Sequence, residues 1–104
     1  MKDLFETIYG NFKKKNPGWA VKIIEQILIH LKSNGLKLNQ AMEIIDELNG
    51  YTPNTISEIA TRCQYNQKTI GSKHYKYFIQ LCRNTAAEPK RIYRTANITL
   101  NLPK

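Results

Sequence analysis

Cysteine and carboxylates are both scarce in this chain of 104 residues. Its two cysteines, Cys63 and Cys82, have no CxxC spacing and no paired histidines, so the sequence predicts no zinc site and indicates two buried, reduced thiols. Only eight carboxylates are present, and no Ser-His-Asp or Cys-His grouping or glycine-rich phosphate loop accompanies them. We therefore expect no enzyme, no metal, no cofactor and no small-molecule ligand.

Long apolar runs are also missing. The run Ile27 to Ile29 has three residues, far fewer than a membrane span needs, and the N-terminus lacks a basic segment followed by an apolar one. Residue types with AT-rich codons outnumber those with GC-rich codons, as is common in low-GC bacteria, phages and plasmids. The sequence thus predicts a cytoplasmic protein of a bacterial or phage-infected cell, with no membrane partner.

Positive charge is abundant and lies in one half of the chain. The sequence carries 16 Lys and Arg against 8 Asp and Glu, a net charge of +8. Residues 1–50 hold seven basic and six acidic side chains, whereas residues 51–104 hold nine basic and two acidic ones. A domain that presents one face to phosphates would have this asymmetry, so a polyanionic partner is indicated.

The first half has the pattern of three helices. Apolar residues at helical spacing predict helix one from Leu4 to about Lys14, after a capping box that Asp3 opens. Helix two begins with Asn16 as its cap and ends at Asn34 and Gly35. Helix three has Asn39 as its cap and ends at Asn49 and Gly50, with a second face that carries Glu43, Asp46 and Glu47. That carboxylate face is interpreted as solvated rather than as a metal site.

The second half predicts two further helices. Thr55 and Glu58 form a capping box that opens a fourth helix from Ile56 to about Cys63. Asn66 then caps a fifth helix that continues to about Arg83, with His74 on its apolar face as a hydrogen-bonded core or boundary histidine. Ile98, Leu100 and Leu102 alternate with polar residues as in a strand, and Ile92 and Tyr93 are its expected partner. Residues 90–102 thus predict a short β-hairpin, which is either a wing or a strand that packs on the core or a second subunit. The fold class is mainly α, with about five helices in a single domain over 1–104.

The stretch TISEIATRCQYNQKTIGSKHYKYFIQL, residues 55–81 within the segment 55–83, resembles the helix-turn-helix of bacterial and phage DNA-binding proteins. Ile59 and Ala60 match the close crossing of its two helices, and Cys63 and Ile70 match later buried positions. Gln64 stands where glycine is favoured. Lys73 replaces an apolar residue, so the second helix is either rotated or takes its core from His74 and Tyr77. With a hairpin at 90–102, the resemblance extends to winged-helix domains.

The resemblance implies that the second helix enters the major groove of duplex DNA. Its exposed side chains then become candidate base readers: Gln67, Lys68, Thr69, Ser72 and Lys73. Other long cations are assigned to the DNA backbone: Arg62, Lys76, Lys90, Arg91 and Arg94. Gly71 in mid-helix is explained either by close approach to DNA or as a tolerated surface glycine.

The function expected is sequence-specific binding of double-stranded DNA. Two settings fit equally: a small transcriptional regulator, or the origin-binding or partition domain of a phage, plasmid or satellite replication protein. Residues 1–50 would form a support layer, and apolar residues there, notably Phe12, Trp19 and Ile29, favour a homodimer. The alternatives are a protein-interaction module or inhibitor that uses the basic face against an acidic partner, and RNA binding.

Overall fold

The computed structural model describes residues 2–88, and these form six helices. In chain order they are α1 Lys2–Lys15, α2 Gly18–Ser33, α3 Leu38–Asn49, α4 Pro53–Cys63, α5 Gln67–Gly71 and α6 Tyr75–Ala87. The mainly helical fold class is confirmed. The predicted hairpin at 90–102 lies outside the described residues.

The ends of α1 and α2 follow the sequence signals with one difference. Asn16 does not cap α2; it is buried, and its side chain donates a hydrogen bond to the carbonyl oxygen of Phe12 (2.8 Å), so it closes α1 instead. Pro17 holds the cap position of α2. At the other end Gly35 has φ +99, and Leu36 N–H donates to Leu31 O, the Schellman ending that glycine permits.

Two predicted helix caps are shifted along the chain. Asn39 lies inside α3, which begins at Leu38, and the side chain of Gln40 accepts a hydrogen bond from Lys37 N–H (2.9 Å). The cap of α4 is Thr52 rather than Thr55: its hydroxyl accepts from Thr55 N–H, and Pro53 takes the first helical position. Proline at the first position of a helix loses no hydrogen bond that the helix needs, so Pro53 is compatible with the start of α4.

One hydrophobic core joins all six helices. It is built mainly of isoleucine from α2, α3 and α4, with one phenylalanine at each end of the chain, Phe12 and Phe78, both fully buried. The structure thus corrects the expectation that Phe12 is available for dimerisation. Trp19 and Ile29 are, in contrast, each about half exposed, at 50% and 49%.

The carboxylates of α3 are not simply a solvated face. Arg83 of α6 donates to both oxygens of Glu47 (3.1 and 3.0 Å), Tyr51 O–H donates to the same carboxylate, and Tyr75 O–H donates to Glu43 (2.7 Å). Asp46 is exposed, as expected. Two of the three carboxylates therefore bind side chains of α6 and hold α6 against α3. This explains why α3 carries several acids although the second half of the chain is basic.

The ion pair at Glu47 predicts a pH dependence of stability. Its hydrogen bond with Arg83 holds the pKa of Glu47 below its usual value, against desolvation, which raises it. A carboxylate with a lowered folded pKa contributes stability above its unfolded pKa of 4.5, and this is lost as the pH falls through the folded pKa. We expect Glu47→Gln to lower the free energy of unfolding at pH 7 by up to about 1 kcal/mol, since solvent screens the exposed Arg83.

The measurement is urea unfolding at pH 7 and at pH 3.5. Glu47→Gln should narrow the difference between the two urea midpoints, because the variant has no carboxylate to protonate. The matched control is Asp46→Asn, one residue earlier on α3, whose midpoints should follow those of the native protein. Equal narrowing in both variants would contradict a specific role for the Glu47 and Arg83 pair.

Candidate nucleic-acid interface

The candidate interface begins where α4 turns into α5. Ile59, Ala60 and Cys63 are fully buried, and Asn66 N–H donates to Cys63 O (2.9 Å) across the turn. Ile70 is buried on the far side of that turn. The buried positions named by the helix-turn-helix resemblance are therefore confirmed as buried.

Gly71 fixes α5 against α2. An added Cβ would overlap His30 Cβ and would lie 3.2 Å from His30 Cγ and 3.3 Å from the His30 carbonyl carbon. The side chain of Asn34 donates to Gly71 O (2.9 Å) at the same crossing. Gly71 is thus neither a surface glycine nor a point of approach for DNA. It is buried because two backbones meet there.

The helix ends at this crossing. Ser72 N–H and Lys73 N–H donate three residues back, to Thr69 O and Ile70 O (both 3.2 Å), which tightens and terminates α5. His74 is extended (φ −57, ψ 141), and its Nδ1 accepts from Lys76 N–H (3.3 Å), so it caps α6. The prediction of one helix from Asn66 to Arg83 is wrong.

The break also resets which side of the chain faces the core. His74 is exposed and Tyr77 is 47% exposed, whereas Phe78, Ile79 and Cys82 are buried. The expectation that His74 is a core or boundary residue is therefore wrong, and neither His74 nor Tyr77 supplies the core in place of Lys73. Three residues that are not helical separate α5 from α6, and they rotate α6 relative to the direction it would have in one continuous helix. An apolar pattern that assumes one helix therefore assigns the wrong side chains of α6 to the core.

The five predicted base readers lie on α5 and on the connection that follows it. Gln67 is half-buried and donates to Gln64 O (3.2 Å), and Ser72 Oγ donates to Thr69 O (2.7 Å), so both side chains are bound to local backbone. Lys68, Thr69 and Lys73 are exposed. Lys73 Nζ lies 5.3 Å from the ring centroid of Tyr77, so the ammonium group of this lysine lies beside α6.

The predicted DNA-backbone residues fall into two groups. Lys76 and Arg62 are exposed, on α6 and α4. Arg62 forms an ion pair with Glu88, whose hydrogen bond raises the pKa of the guanidinium. Both side chains of this pair are over 40% exposed, so it is a weak interaction that a phosphate can displace. Lys90, Arg91 and Arg94 lie outside the described residues.

The exposed side of α6 carries mainly polar side chains. We define the α6 surface by six side chains: Arg62, Lys73, Lys76, Tyr77, Gln80 and Asn84. Arg62, Tyr77, Gln80 and Asn84 line one shallow depression of about 250 Å³. Gln80 Nε2 donates to Asn84 Oδ1 (2.9 Å), one helical turn along. Lys73 and Lys76 lie near the start of α6, whereas Arg62 lies beside the two adjacent amides farther along the helix.

Gln80, Asn84 and Tyr77 were missed as candidate site residues by sequence reasoning. The signal that could have found them is the spacing of Phe78, Ile79, Cys82 and Thr85, which are buried and leave 76, 77, 80, 83 and 84 on the opposite side of a helix. The sequence shows this division into a buried and an exposed side only if a new helix is assumed to begin after His74. Tyr65, 88% exposed in the turn before α5, gave no sequence signal beyond its place in a turn.

The segment that carries most of this surface has charged side chains of one sign. Residues 59–87 contain five basic side chains and no carboxylate. Arg62 and Arg83 are paired with Glu88 and Glu47, which come from outside this segment. Lys68, Lys73 and Lys76 are exposed, and only Lys73 has a ring contact among these three. The surface therefore presents lysines without compensating acids of its own segment.

Three observations on metal ligands, thiols and helix length hold for residues 2–88. Within this range no cluster of His, Cys, Asp and Glu could hold a metal ion. Cys63 and Cys82 are free and buried, and burial raises the pKa of the Cys63 thiol to about 11, so it is a poor nucleophile at neutral pH. No helix of the described part combines the length and apolar character of a membrane span.

Comparison with protein-family models, with curated proteins and with solved structures found no match to this chain.

Proposed function

We propose that this chain binds double-stranded DNA with sequence preference, with α6 as the helix that enters the major groove. The observation that carries the proposal is the α6 surface itself, a solvent-facing helix side with exposed lysines and amides in a segment of 29 residues without a carboxylate, 59–87. A helix of 13 residues is roughly 20 Å long, and the major groove admits a helix of this kind.

The residues divide by what their groups can recognise. Gln80 and Asn84 carry amides, which can donate to and accept from the edge of an adenine. Their mutual hydrogen bond keeps the two amides together on the helix side. The lysines Lys68, Lys73 and Lys76 suit phosphates, as does Arg62 once it leaves Glu88. In this proposal α5 and the connection after it contribute affinity, and α6 contributes base choice.

The biological setting stays open between two alternatives. A transcriptional regulator and an origin-binding or partition domain of a mobile-element replication protein would use the same surface in the same way. The rival function is a protein-interaction module or inhibitor that places the α6 surface against an acidic protein, and the charge pattern fits that rival too.

The test is selection of bound duplexes from a random pool, followed by fluorescence anisotropy on the selected duplex in a salt series. We expect an enriched sequence and an affinity that falls linearly on a log-log plot against salt. Single-stranded RNA and polyglutamate serve as competitors. Better competition by RNA would favour RNA binding, and absent or salt-insensitive duplex binding would contradict the proposal.

A further prediction separates base reading from phosphate contact. Gln80→Ala should reduce affinity for the selected duplex by about tenfold or more, since a good amide–base pair contributes about 1–3 kcal/mol, and should leave the salt slope unchanged. Lys76→Ala should instead lower the slope by about one unit and weaken all duplexes alike. If Gln80→Ala weakened selected and scrambled duplexes equally, α6 would not be the reading helix.

A further inference from the structure

A second surface lies on α1 and α2 and is apolar. It is a groove of about 340 Å³ that is lined by α1, by α2, by the connection between α2 and α3, and by the start of α3. Its apolar lining includes Phe5, Tyr9, Leu28, Ile29, Leu36 and Ala41. Ile29 is 49% exposed at this groove and Leu38, which also lines it, is 40% exposed. Contiguous exposed apolar side chains of this kind are typical of interaction surfaces.

Three charged side chains line this groove, Glu25 and Lys32 on α2 and Lys37 just before α3. Glu25 and Lys32 both line the groove, seven residues apart, and Ile29 lies between them. Seven residues are close to two helical turns, so the three side chains share one side of α2. Tyr9 O–H donates to Glu25 Oε2 (3.0 Å), which orients the carboxylate at the groove.

We propose that this groove is the interface of a homodimer in which α2 of one copy lies antiparallel on α2 of the other. With the twofold axis between Leu28 and Ile29, Glu25 of each copy opposes the partner's Lys32, and Ile29 opposes the partner's Leu28. The same patch then provides a protruding isoleucine and the groove that receives it, as an isologous interface requires.

The arrangement of charge is what selects a second copy as the occupant. In the antiparallel register both ion pairs form at once, because the acid precedes and the base follows the centre of the helix. A parallel α2 would place Glu25 beside Glu25 and Lys32 beside Lys32, which is unfavourable. The charged side chains of α2 at this groove are thus complementary to those of a second copy only when the two α2 helices are antiparallel.

This inference does not rest on DNA binding. His30 and Asn34, which meet Gly71 of α5, lie on the opposite side of α2 from Glu25, Ile29 and Lys32 by helical phase. A dimer through the groove therefore leaves α5 uncovered in both copies. Oligomeric state is also measured without DNA, so failure of either proposal is recognised independently of the other.

The experiment is sedimentation equilibrium of the full chain over a concentration series to about 100 µM, a range that detects micromolar dimers. We expect a mass of twice 12.1 kDa for the native chain and a single chain mass for Ile29→Glu. Trp19→Glu is the matched control, since Trp19 is equally exposed on α2 but does not line the groove, and it should remain dimeric. Circular dichroism checks that each variant is folded.

A charge exchange makes the test independent of Ile29. Glu25→Lys alone and Lys32→Glu alone should each raise the dimer dissociation constant by about tenfold or more, because each places like charges together. The double exchange Glu25→Lys with Lys32→Glu should restore much of the affinity, since both pairs form again with reversed sign. A native chain that is monomeric throughout, a folded Ile29→Glu that stays dimeric, or a double exchange no better than the single changes would each overturn the proposal.

Discussion

Replacement of Lys68, Lys73 and Lys76 together with alanine is expected to weaken duplex binding by about 100-fold at about 0.1 M salt, if the proposed function is right. Each lysine that neutralises a phosphate contributes about 0.9 to the slope of log affinity against log salt, so the slope should fall by roughly 2.7. All three side chains are exposed, and the contact that is lost within the protein is that of Lys73 with the ring of Tyr77. Unfolding midpoints should therefore change little.

The matched control removes the same charge elsewhere. Lys2, Lys14 and Lys22 are exposed on α1 and α2 and belong neither to the α6 surface nor to the proposed dimer groove, and their triple alanine variant has the same net charge as the first one. Fluorescence anisotropy on the selected duplex should show a much smaller loss for this control. If both triple variants lost affinity and slope equally, the attraction would be diffuse and no single face would bind DNA.

Gly71→Ala is expected to destabilise the fold by about 3 kcal/mol, the largest single-residue effect that we predict. The new methyl group has no space, because its nearest neighbours are His30 Cβ, Cγ and carbonyl carbon, and neither helix can withdraw without opening the core around Ile70. Backbone strain is not the cause, since among the described glycines only Gly35 has positive φ. Urea unfolding followed by circular dichroism measures the loss.

Two controls define the mechanism. Gly10→Ala lies in mid-α1 with nothing within 4 Å of the added Cβ, and it should stabilise the protein by up to about 1 kcal/mol through helix propensity. In the Gly71→Ala background, His30→Ala should not restore stability, because the overlapping atom is Cβ itself, whereas His30→Gly should recover part of it. A Gly71→Ala protein as stable as the native one would contradict the close crossing of α2 and α5.

Local patterns in the sequence were sufficient for most of the fold. The class and the first four helices, to within a few residues, follow from apolar periodicity, from capping residues and from Gly35, because these are short-range preferences of the chain. The caps were less accurate. Asn16 and Asn39 are both suitable caps, but Asn16 bonds backward to Phe12 and Asn39 lies inside α3. Side chains of this kind have several local partners, and packing selects among them.

The candidate site was predicted less well than the fold. The helix from Asn66 to Arg83 was expected on a continuous apolar pattern, yet it is two helices. Nothing local forbids the continuous helix, because Ser72, Lys73 and His74 are neither proline nor strong breakers. The helix ends there because Gly71 is held against His30 by the crossing with α2, a residue more than forty positions earlier. The readers expected on one helix were thereby separated from Gln80 and Asn84.

The sequence by itself determined that this protein is helical, that its positive charge belongs to the second half, and that Ile59, Ala60, Cys63 and Ile70 are buried. Composition and short-range periodicity carry the first two of these without reference to any distant residue, and the resemblance to the helix-turn-helix pattern implied the third. Only the tertiary structure decided which side of residues 74–84 faces solvent and that the acids of α3 hold Arg83 and Tyr75. Both features depend on contacts between residues far apart in the chain. The close crossing of α2 and α5 at Gly71 ends one helix, and this changes which side chains of the next helix face the core.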